Sequence, residues 1–207
     1  MEPLTLFALL LLGGGVAARA MTGTTAKGKR MPAQKLKTGE WIPGDLPYVE
    51  KPPKVPTMED VRKALRAVAG QFGQETAEWV ERIWRKETNH FRSGFAKTCG
   101  AGMHPWTGSY PWLWGDARRL WDTMPGFRPI GWTYMVEGGT KYKRAYLVFE
   151  NPTDFAMTLA TIITARAQQY GSLKMGAGSW YSKTPSAMAS YANAAEKIIP
   201  KITRGKA

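Results

Sequence analysis

A basic, proline-rich stretch from residue 22 to about residue 56 divides this chain and limits where a compact domain can form. It holds six prolines and several lysines but few large apolar side chains. Such a segment buries too little apolar surface to offset the entropy lost when it becomes ordered. We therefore expect a flexible linker over residues 22–56 and a folded domain over residues 57–207. Four linker residues are candidates for docking on that domain: Trp41, Ile42, Tyr48 and Val49.

The N-terminus carries an uncharged, mostly apolar run over residues 4–18. As a helix it would cover about 22 Å, against roughly 30 Å for a hydrocarbon core, and Arg19 could lengthen the span. A signal peptide cleaved after Ala20 is one interpretation. However, Glu2 precedes the run and the basic residues follow it, which favours an uncleaved membrane anchor over residues 1–21 with a cytoplasmic C-terminal side.

The charge of the chain favours a polyanionic partner. Lys and Arg outnumber Asp and Glu by 29 to 16, for a net charge of +13. Nucleic acid, an anionic membrane and the bacterial cell wall all fit this charge. Cys99 is the only cysteine, so an intrachain disulfide is impossible. The spacing of His90, Cys99 and His104 matches no zinc pattern, so we predict neither a metal nor a cofactor.

Start signals and periodicity predict an α+β domain that is mainly α. Thr57 with Asp60 matches a capping box, which begins a first helix. Alternation around Gly138 and Gly139 predicts a small β-hairpin. The other predicted elements are a helix from about Gln74 to His90, a helix over 155–170 capped by Thr153 or Asp154, and a helix over about 185–202.

The second predicted helix sorts its side chains onto two faces. At about 100° per residue, one arc is apolar and has Glu87 in its middle. The apolar members of this arc are Ala77, Val80, Ile83 and Trp84. The opposite face carries two ion pairs at favourable spacing and is expected to be solvated. These pairs are Glu78 with Arg82 and Glu81 with Arg85.

Glu87 is the acid that this pattern does not explain. Burial beside Trp84 and Phe91 would favour its protonated form, and so would the negative end of the helix dipole. A carboxyl group held protonated near neutral pH is what a general acid requires. The alternative is that Glu87 pairs with a cation or emerges at a frayed helix end.

Three segments resemble a known enzyme family in the same order. They are "KETNHFRSGFAKTCGAGM", "FENPTDFAMTLATII" and "WYSKTPSAMASYANAAEKII". Together they resemble lytic transglycosylases and lysozyme-like enzymes and, more closely, the glucosaminidase family of autolysins, flagellar wall hydrolases and phage endolysin-like proteins. The resemblance spans about residues 57–202. It departs from the family at Lys183 and Thr184, where Thr-Asp is usual, and it has extra residues between Pro185 and Tyr191.

The resemblance implies a lysozyme-like domain in which Glu87 is the catalytic acid. It also implies a second acid on the hairpin, for which Glu137 is the candidate, and a catalytic-site tyrosine at Tyr181. A nearby aromatic run supplies flat rings that suit the faces of sugars, although such rings also serve as core or stack on single-stranded nucleic acid. The predicted substrate-binding residues are Phe91, Trp106, Tyr110, Trp112 and Trp114.

The chemistry implied is cleavage of a glycosidic bond in peptidoglycan. Glu87 would protonate the bridging oxygen, and a second group would meet the oxocarbenium-like carbon. That group is Glu137 acting through water, the N-acetyl carbonyl of the substrate, or the muramic 6-hydroxyl. The sequence leaves these routes open.

The sequence therefore predicts a membrane-anchored lytic enzyme of a phage virion. Its expected partners are peptidoglycan and a lipid membrane, with no specific nucleic acid. The expected location is the internal membrane of a virion or, alternatively, the bacterial cell envelope after export. The rival hypothesis is a non-enzymatic, membrane-linked virion or DNA-binding protein.

Overall fold

The computed structural model describes residues 34–35, 41–42, 47–51, 55–92, 98–100, 102–103, 129–136 and 143–205. All of them belong to the unit Met31–Ala207. The predicted anchor over residues 1–21 lies outside these residues. Within the described part of the chain, every helix is too short or too polar to cross a membrane.

The described part of the domain is mainly helical with a small antiparallel hairpin, as the sequence predicts. In chain order the elements are β1 (Gln34–Lys35), β2 (Trp41–Ile42), α1 (Met58–Phe72), α2 (Gln74–Glu87), β3 (Gly131–Val136), β4 (Lys143–Val148), α3 (Pro152–Tyr170), α4 (Leu173–Gly178) and α5 (Pro185–Glu196). Helix α2 packs against all four other helices of this set, so it lies at the centre of the helical layer.

Helix α1 begins at the predicted capping box. The backbone N–H of Asp60 donates to Thr57 Oγ1 at 3.2 Å, and the backbone N–H of Thr57 donates to Asp60 Oδ2 at 2.8 Å. These two bonds satisfy donors that the first turn of a helix leaves open. Gly73, at φ +86°, separates α1 from α2. The predicted capping box of Thr57 and Asp60 at the start of α1 is therefore confirmed.

The charged face of α2 differs from the prediction. Both predicted ion pairs form, with Arg82 Nη2 at 3.3 Å from Glu78 Oε2 and Arg85 Nε at 2.6 Å from Glu81 Oε1. However, Glu81 is completely buried and Arg82 nearly so, and the expectation of a solvated face is wrong for them. The apolar arc that includes Ile83 is buried as predicted.

A C-terminal clasp, defined as residues 200–205, covers that charged face. The backbone N–H groups of Ile202 and Thr203 donate to the two Glu81 carboxylate oxygens at 3.0 and 2.8 Å, and Thr203 Oγ1 donates at 2.9 Å. Arg204 donates twice to Glu78, at 3.1 and 2.7 Å. These bonds hold the pKa of Glu78 below its ordinary value. The clasp replaces the end of the predicted last helix, which stops at Glu196.

Helix α3 is capped by Asn151, so the prediction of Thr153 or Asp154 as its cap is wrong. Asn151 Oδ1 accepts a hydrogen bond from the backbone N–H of Asp154 at 3.1 Å, and Pro152 occupies the first turn. Proline is favoured there because its missing N–H would have no helical partner. The large apolar side chains of this helix are buried: Phe155, Leu159, Ile162 and Ile163.

The Asp154 carboxyl gives the domain a predicted pH dependence. Burial, together with the charge of Glu150, raises the pKa of Asp154 from 3.8 to about 6, against the lowering effect of its bond to Asn151. A raised folded pKa means stability that is fully present below the unfolded pKa and is lost as pH rises through about 6.

We expect Asp154→Asn to remove this loss, which amounts to about 1–3 kcal/mol of unfolding free energy between about pH 4 and pH 7. Urea denaturation of both proteins across this range measures it. Glu150→Gln should move the wild-type decline to lower pH. If the unfolding free energies of wild type and Asp154→Asn changed in parallel with pH, Asp154 would not be the source of the pH dependence.

The predicted hairpin forms, and the end of the predicted linker docks beside it. Strands β3 and β4 pair antiparallel with Thr133 opposite Tyr146. Tyr48 forms a parallel bridge to Trp132, whose carbonyl accepts from Val49 N–H at 2.8 Å. Docking is thus confirmed for Tyr48 and Val49. Trp41 and Ile42 form β2, which pairs antiparallel with β1, and their docking stays a prediction. The turn at Gly138 and Gly139 lies outside the described residues.

Candidate functional site

The candidate site lies where α2 ends. Thr88 caps the helix, because its hydroxyl donates to the Trp84 carbonyl at 2.6 Å and its backbone N–H donates to the same oxygen at 3.1 Å. The next three residues all adopt left-handed backbone angles, with φ of +46° for Asn89, +59° for His90 and +69° for Phe91. Such angles are uncommon outside glycine, and a run of them stores conformational strain.

Hydrogen bonds to the last turn of α2 hold this left-handed turn (residues 89–91) in place. His90 N–H donates to the Arg85 carbonyl at 2.7 Å, and Phe91 N–H donates to Thr88 Oγ1 at 2.9 Å. Strained backbone persists only where the surroundings fix it, and it concentrates at functional sites. The turn therefore sets the direction in which the chain leaves Glu87.

Glu87 is exposed, so its expected burial among aromatic side chains is wrong. The apolar arc is buried as far as Trp84, but Glu87 is the last residue of α2 and extends past the packed surface. Its carboxylate is nevertheless held in place, because Tyr191 Oη donates to Glu87 Oε1 at 2.5 Å. A short bond from a neutral hydroxyl to a carboxylate is one of the stronger hydrogen bonds in proteins.

Tyr191 is a buried donor that stays neutral. Burial raises the pKa of its hydroxyl well above the ordinary value, and the negative charge of Glu87 and the bond to that carboxylate act in the same direction. The ammonium of Lys86 lies 5.1 Å from the centre of the Tyr191 ring. Tyr191 thus orients Glu87 without competing with it as an acid at neutral pH.

The structure brings Tyr181 to the same place. Its ring stacks on that of Tyr191 with centroids 5.3 Å apart and planes inclined by 6°. One face of Tyr181 is therefore covered, yet 59% of the residue is exposed. Two predicted catalytic residues, Glu87 and Tyr181, meet through Tyr191, which the sequence analysis does not select as a site residue.

Phe91 belongs more to the core than to an open binding wall. It is partly buried, its ring meets that of Trp84 edge-on at 5.5 Å, and Arg85 lies 5.0 Å from its centre. The remaining predicted site residues lie outside the described part of the chain: Glu137, Trp106, Tyr110, Trp112 and Trp114.

Neither a metal site nor a reactive thiol is found among the described residues. Within them no three His, Cys, Asp or Glu side chains come together as a metal site would require. Burial raises the pKa of the Cys99 thiol to about 11, so it is protonated and weakly nucleophilic at neutral pH. The arrangement that remains is an oriented carboxylate, Glu87, and an exposed flat ring, Tyr181, on either side of Tyr191 in one chain of contacts. Such a pair suits a ligand that stacks on the ring and exchanges a proton with the carboxylate.

The domain defined by these elements is a mainly helical one with a small hairpin and a carboxylate site at a helix end. Comparison of the chain with protein-family models, with curated proteins and with solved structures finds no match in any of the three.

Proposed function

We propose that this protein is a glycosidase or lytic transglycosylase that cleaves the glycan strands of peptidoglycan, with Glu87 as the general acid. The observation that carries the proposal is the bond from Tyr191 to Glu87, with Tyr181 stacked on the same ring. It supports the resemblance of the sequence to lysozyme-like enzymes, because two residues chosen from that resemblance, Glu87 and Tyr181, both contact Tyr191.

The reaction begins with proton transfer. The protonated Glu87 carboxyl gives its proton to the oxygen between two sugars, and the bond from this oxygen to the anomeric carbon breaks. Tyr191 holds one carboxylate oxygen, so the other is left to face the substrate. The apolar face of a pyranose stacks on the exposed ring of Tyr181 and displaces water from the carboxyl.

The second half of the reaction follows one of three routes. Glu137 activates water, the N-acetyl carbonyl of the substrate attacks the anomeric carbon, or the muramic 6-hydroxyl attacks it. The first two routes give a reducing sugar end, and the third gives an anhydro end. In the first route the proton that water loses goes to Glu137, and both carboxyl groups then return to their starting states by proton exchange with solvent. In the second route the carbonyl oxygen forms an oxazolinium ring at the anomeric carbon, and the water that later opens this ring gives a proton to Glu87. In the third route the 6-hydroxyl gives its proton to Glu87 as its oxygen bonds to the anomeric carbon.

Digestion of purified peptidoglycan tests this proposal. The full chain should release soluble fragments, and mass spectrometry of their ends should show reducing N-acetylglucosamine, reducing N-acetylmuramic acid or anhydro-N-acetylmuramic acid. The end that appears names the bond and the route. Intact cell wall after prolonged incubation with folded protein would overturn the proposal.

We expect Tyr191→Phe to lower the cleavage rate about 10- to 100-fold, mainly through kcat. The ring that supports Tyr181 remains, but the hydroxyl that fixes Glu87 is lost. The pH profile of kcat should shift as well, because the lost hydroxyl bonds the carboxyl group that transfers the proton. A merely structural role of Tyr191 would leave this pH profile unchanged. Steady-state rates on soluble glycan fragments measure both effects. An unchanged pH profile would leave Tyr191 without a role in positioning.

We further propose that the enzyme acts as a membrane-anchored component of a phage virion, with the basic linker joining anchor and domain. The net charge of +13 favours a second candidate, a non-enzymatic DNA-binding virion protein. That candidate requires duplex DNA affinity that falls steeply with salt, together with an intact wall in the digestion assay.

A further inference from the structure

A groove of about 500 Å³ lies between α1, α2 and the C-terminal clasp. Its floor is apolar and includes Leu65, Ala69 and Ile202. Its rim carries four cationic side chains from three elements: Arg62, Arg66, Arg85 and Lys201. The groove is separate from Glu87 and Tyr181, neither of which lines it.

The cations of the rim outnumber the acids that neutralise them. Arg62 and Arg66 share one carboxylate, Glu59, at 3.3 and 3.8 Å. Arg85 pairs with the buried Glu81 at 2.6 Å, and that carboxylate also accepts the bonds of the clasp. Among the described residues that line the groove, none is acidic. The lining therefore carries a net positive charge, and the acids that pair with its arginines, Glu59 and Glu81, do not line the groove themselves.

The shape and lining favour one kind of ligand. The volume falls in the range of small-molecule sites, about 300–1,000 Å³. A linear polyanion such as DNA needs an open track of cations and has no apolar portion to cover Leu65 and Ile202. An anionic head attached to an apolar body satisfies both the rim and the floor. Arg side chains bind phosphate oxygens in pairs, and basic pockets of this type bind lipid head groups.

We propose that this groove binds the head group of an anionic phospholipid. The phosphodiester lies against Arg62, Arg66 and Lys201, and the first methylenes of the acyl chains cover the apolar floor. The site holds the domain against an anionic membrane surface. This proposal is independent of glycan cleavage, because Glu87, Tyr181 and Tyr191 do not line the groove.

Vesicle binding by the full chain tests the proposal. We compare affinity for vesicles that contain phosphatidylglycerol with affinity for neutral phosphatidylcholine vesicles, by flotation at constant ionic strength. Apolar insertion that is the same for both kinds of vesicle changes both affinities by the same factor, so it does not affect their ratio. Arg66→Gln with Lys201→Gln should reduce this ratio about tenfold or more, since each cation near the surface contributes about 1 kcal/mol.

Matched variants distinguish binding in the groove from general attraction between a basic protein and an anionic membrane. Lys63→Gln with Lys197→Gln removes the same charge from exposed positions outside the groove and should change the ratio less than about threefold. Ala69→Trp fills the floor at constant charge and should also reduce the ratio. Equal losses from both charge pairs, or no preference for phosphatidylglycerol in the wild type, would overturn the proposal. So would duplex DNA that binds more tightly than the vesicles and is weakened by the same two groove substitutions.

Discussion

Glu87→Gln is expected to lower the rate of peptidoglycan cleavage by about 10²–10⁴-fold, the range that a general acid contributes. Glutamine keeps the length of the side chain and still accepts the hydrogen bond from Tyr191, so the local structure is retained. It has no acidic proton to deliver to the leaving oxygen. Release of dye-labelled fragments from purified cell wall measures the rate, and circular dichroism checks the fold.

The matched control is Glu75→Gln, which makes the same change on an exposed residue in the first turn of the same helix. This variant should retain wild-type activity. If Glu87→Gln also cleaves at nearly the wild-type rate, the proton comes from another group and the role of Glu87 is wrong. If the wild type itself left the wall intact, the proposed function would fail, whatever the variants did.

Glu81→Ala is expected to reduce the free energy of unfolding by about 3–5 kcal/mol, the cost of breaking a buried ion pair. The substitution leaves the guanidinium of Arg85 without its carboxylate. It also removes the acceptor of three hydrogen bonds from Ile202 and Thr203. Buried donors without an acceptor each cost about 1–3 kcal/mol, partly recovered where water enters. Urea denaturation followed by tryptophan fluorescence measures the change.

Glu59→Ala provides the comparison. Its carboxylate pairs with Arg62 at 3.3 Å, but both side chains are largely exposed, and such pairs contribute about 0–1 kcal/mol. A loss of similar size in the two variants would show that burial is not what makes Glu81 important. If Glu81→Ala lost little unfolding free energy, the contacts of the clasp would contribute little to stability.

The elements that could be predicted from sequence rest on local contacts. Thr57 and Asp60 are three residues apart, so their reciprocal bonds are readable directly from the chain. The hairpin follows from alternation on both sides of a glycine pair. The cap of α3 is ambiguous in the sequence, because Asn, Thr and Asp are all suitable cap types and Asn151, Thr153 and Asp154 lie close together. Pro152 favours Asn151 among them, since proline is preferred just inside the start of a helix.

The two faces of α2 show what periodicity leaves out. It groups residues on a face correctly, but it does not reveal which distant segment covers that face. Glu81 is buried by Ile202, which is 121 residues further along the chain. Glu87 lies on the apolar arc and is exposed, because α2 ends before neighbouring elements can cover it.

The candidate site was predictable only in part for the same reason. Glu87 and Tyr181 follow from the resemblance of their segments to a known family. The contact that joins them runs through Tyr191, 104 residues from Glu87, and no local pattern marks it. The left-handed turn after Thr88 also could not be predicted, since it extends through Phe91, a residue type that rarely adopts such angles.

The clasp on Glu81 also bears on how the nascent chain matures during translation. Helix α2 leaves the ribosome long before Ile202 and Thr203, yet its central carboxylate has no backbone donors until they arrive. Until then Arg85 of the same helix is the partner that this carboxylate can have, and water must supply the other hydrogen bonds. We therefore expect the burial of Glu81 to be completed only after Thr203 has emerged, and chains truncated before Ile202 to be more sensitive to proteases than the full chain.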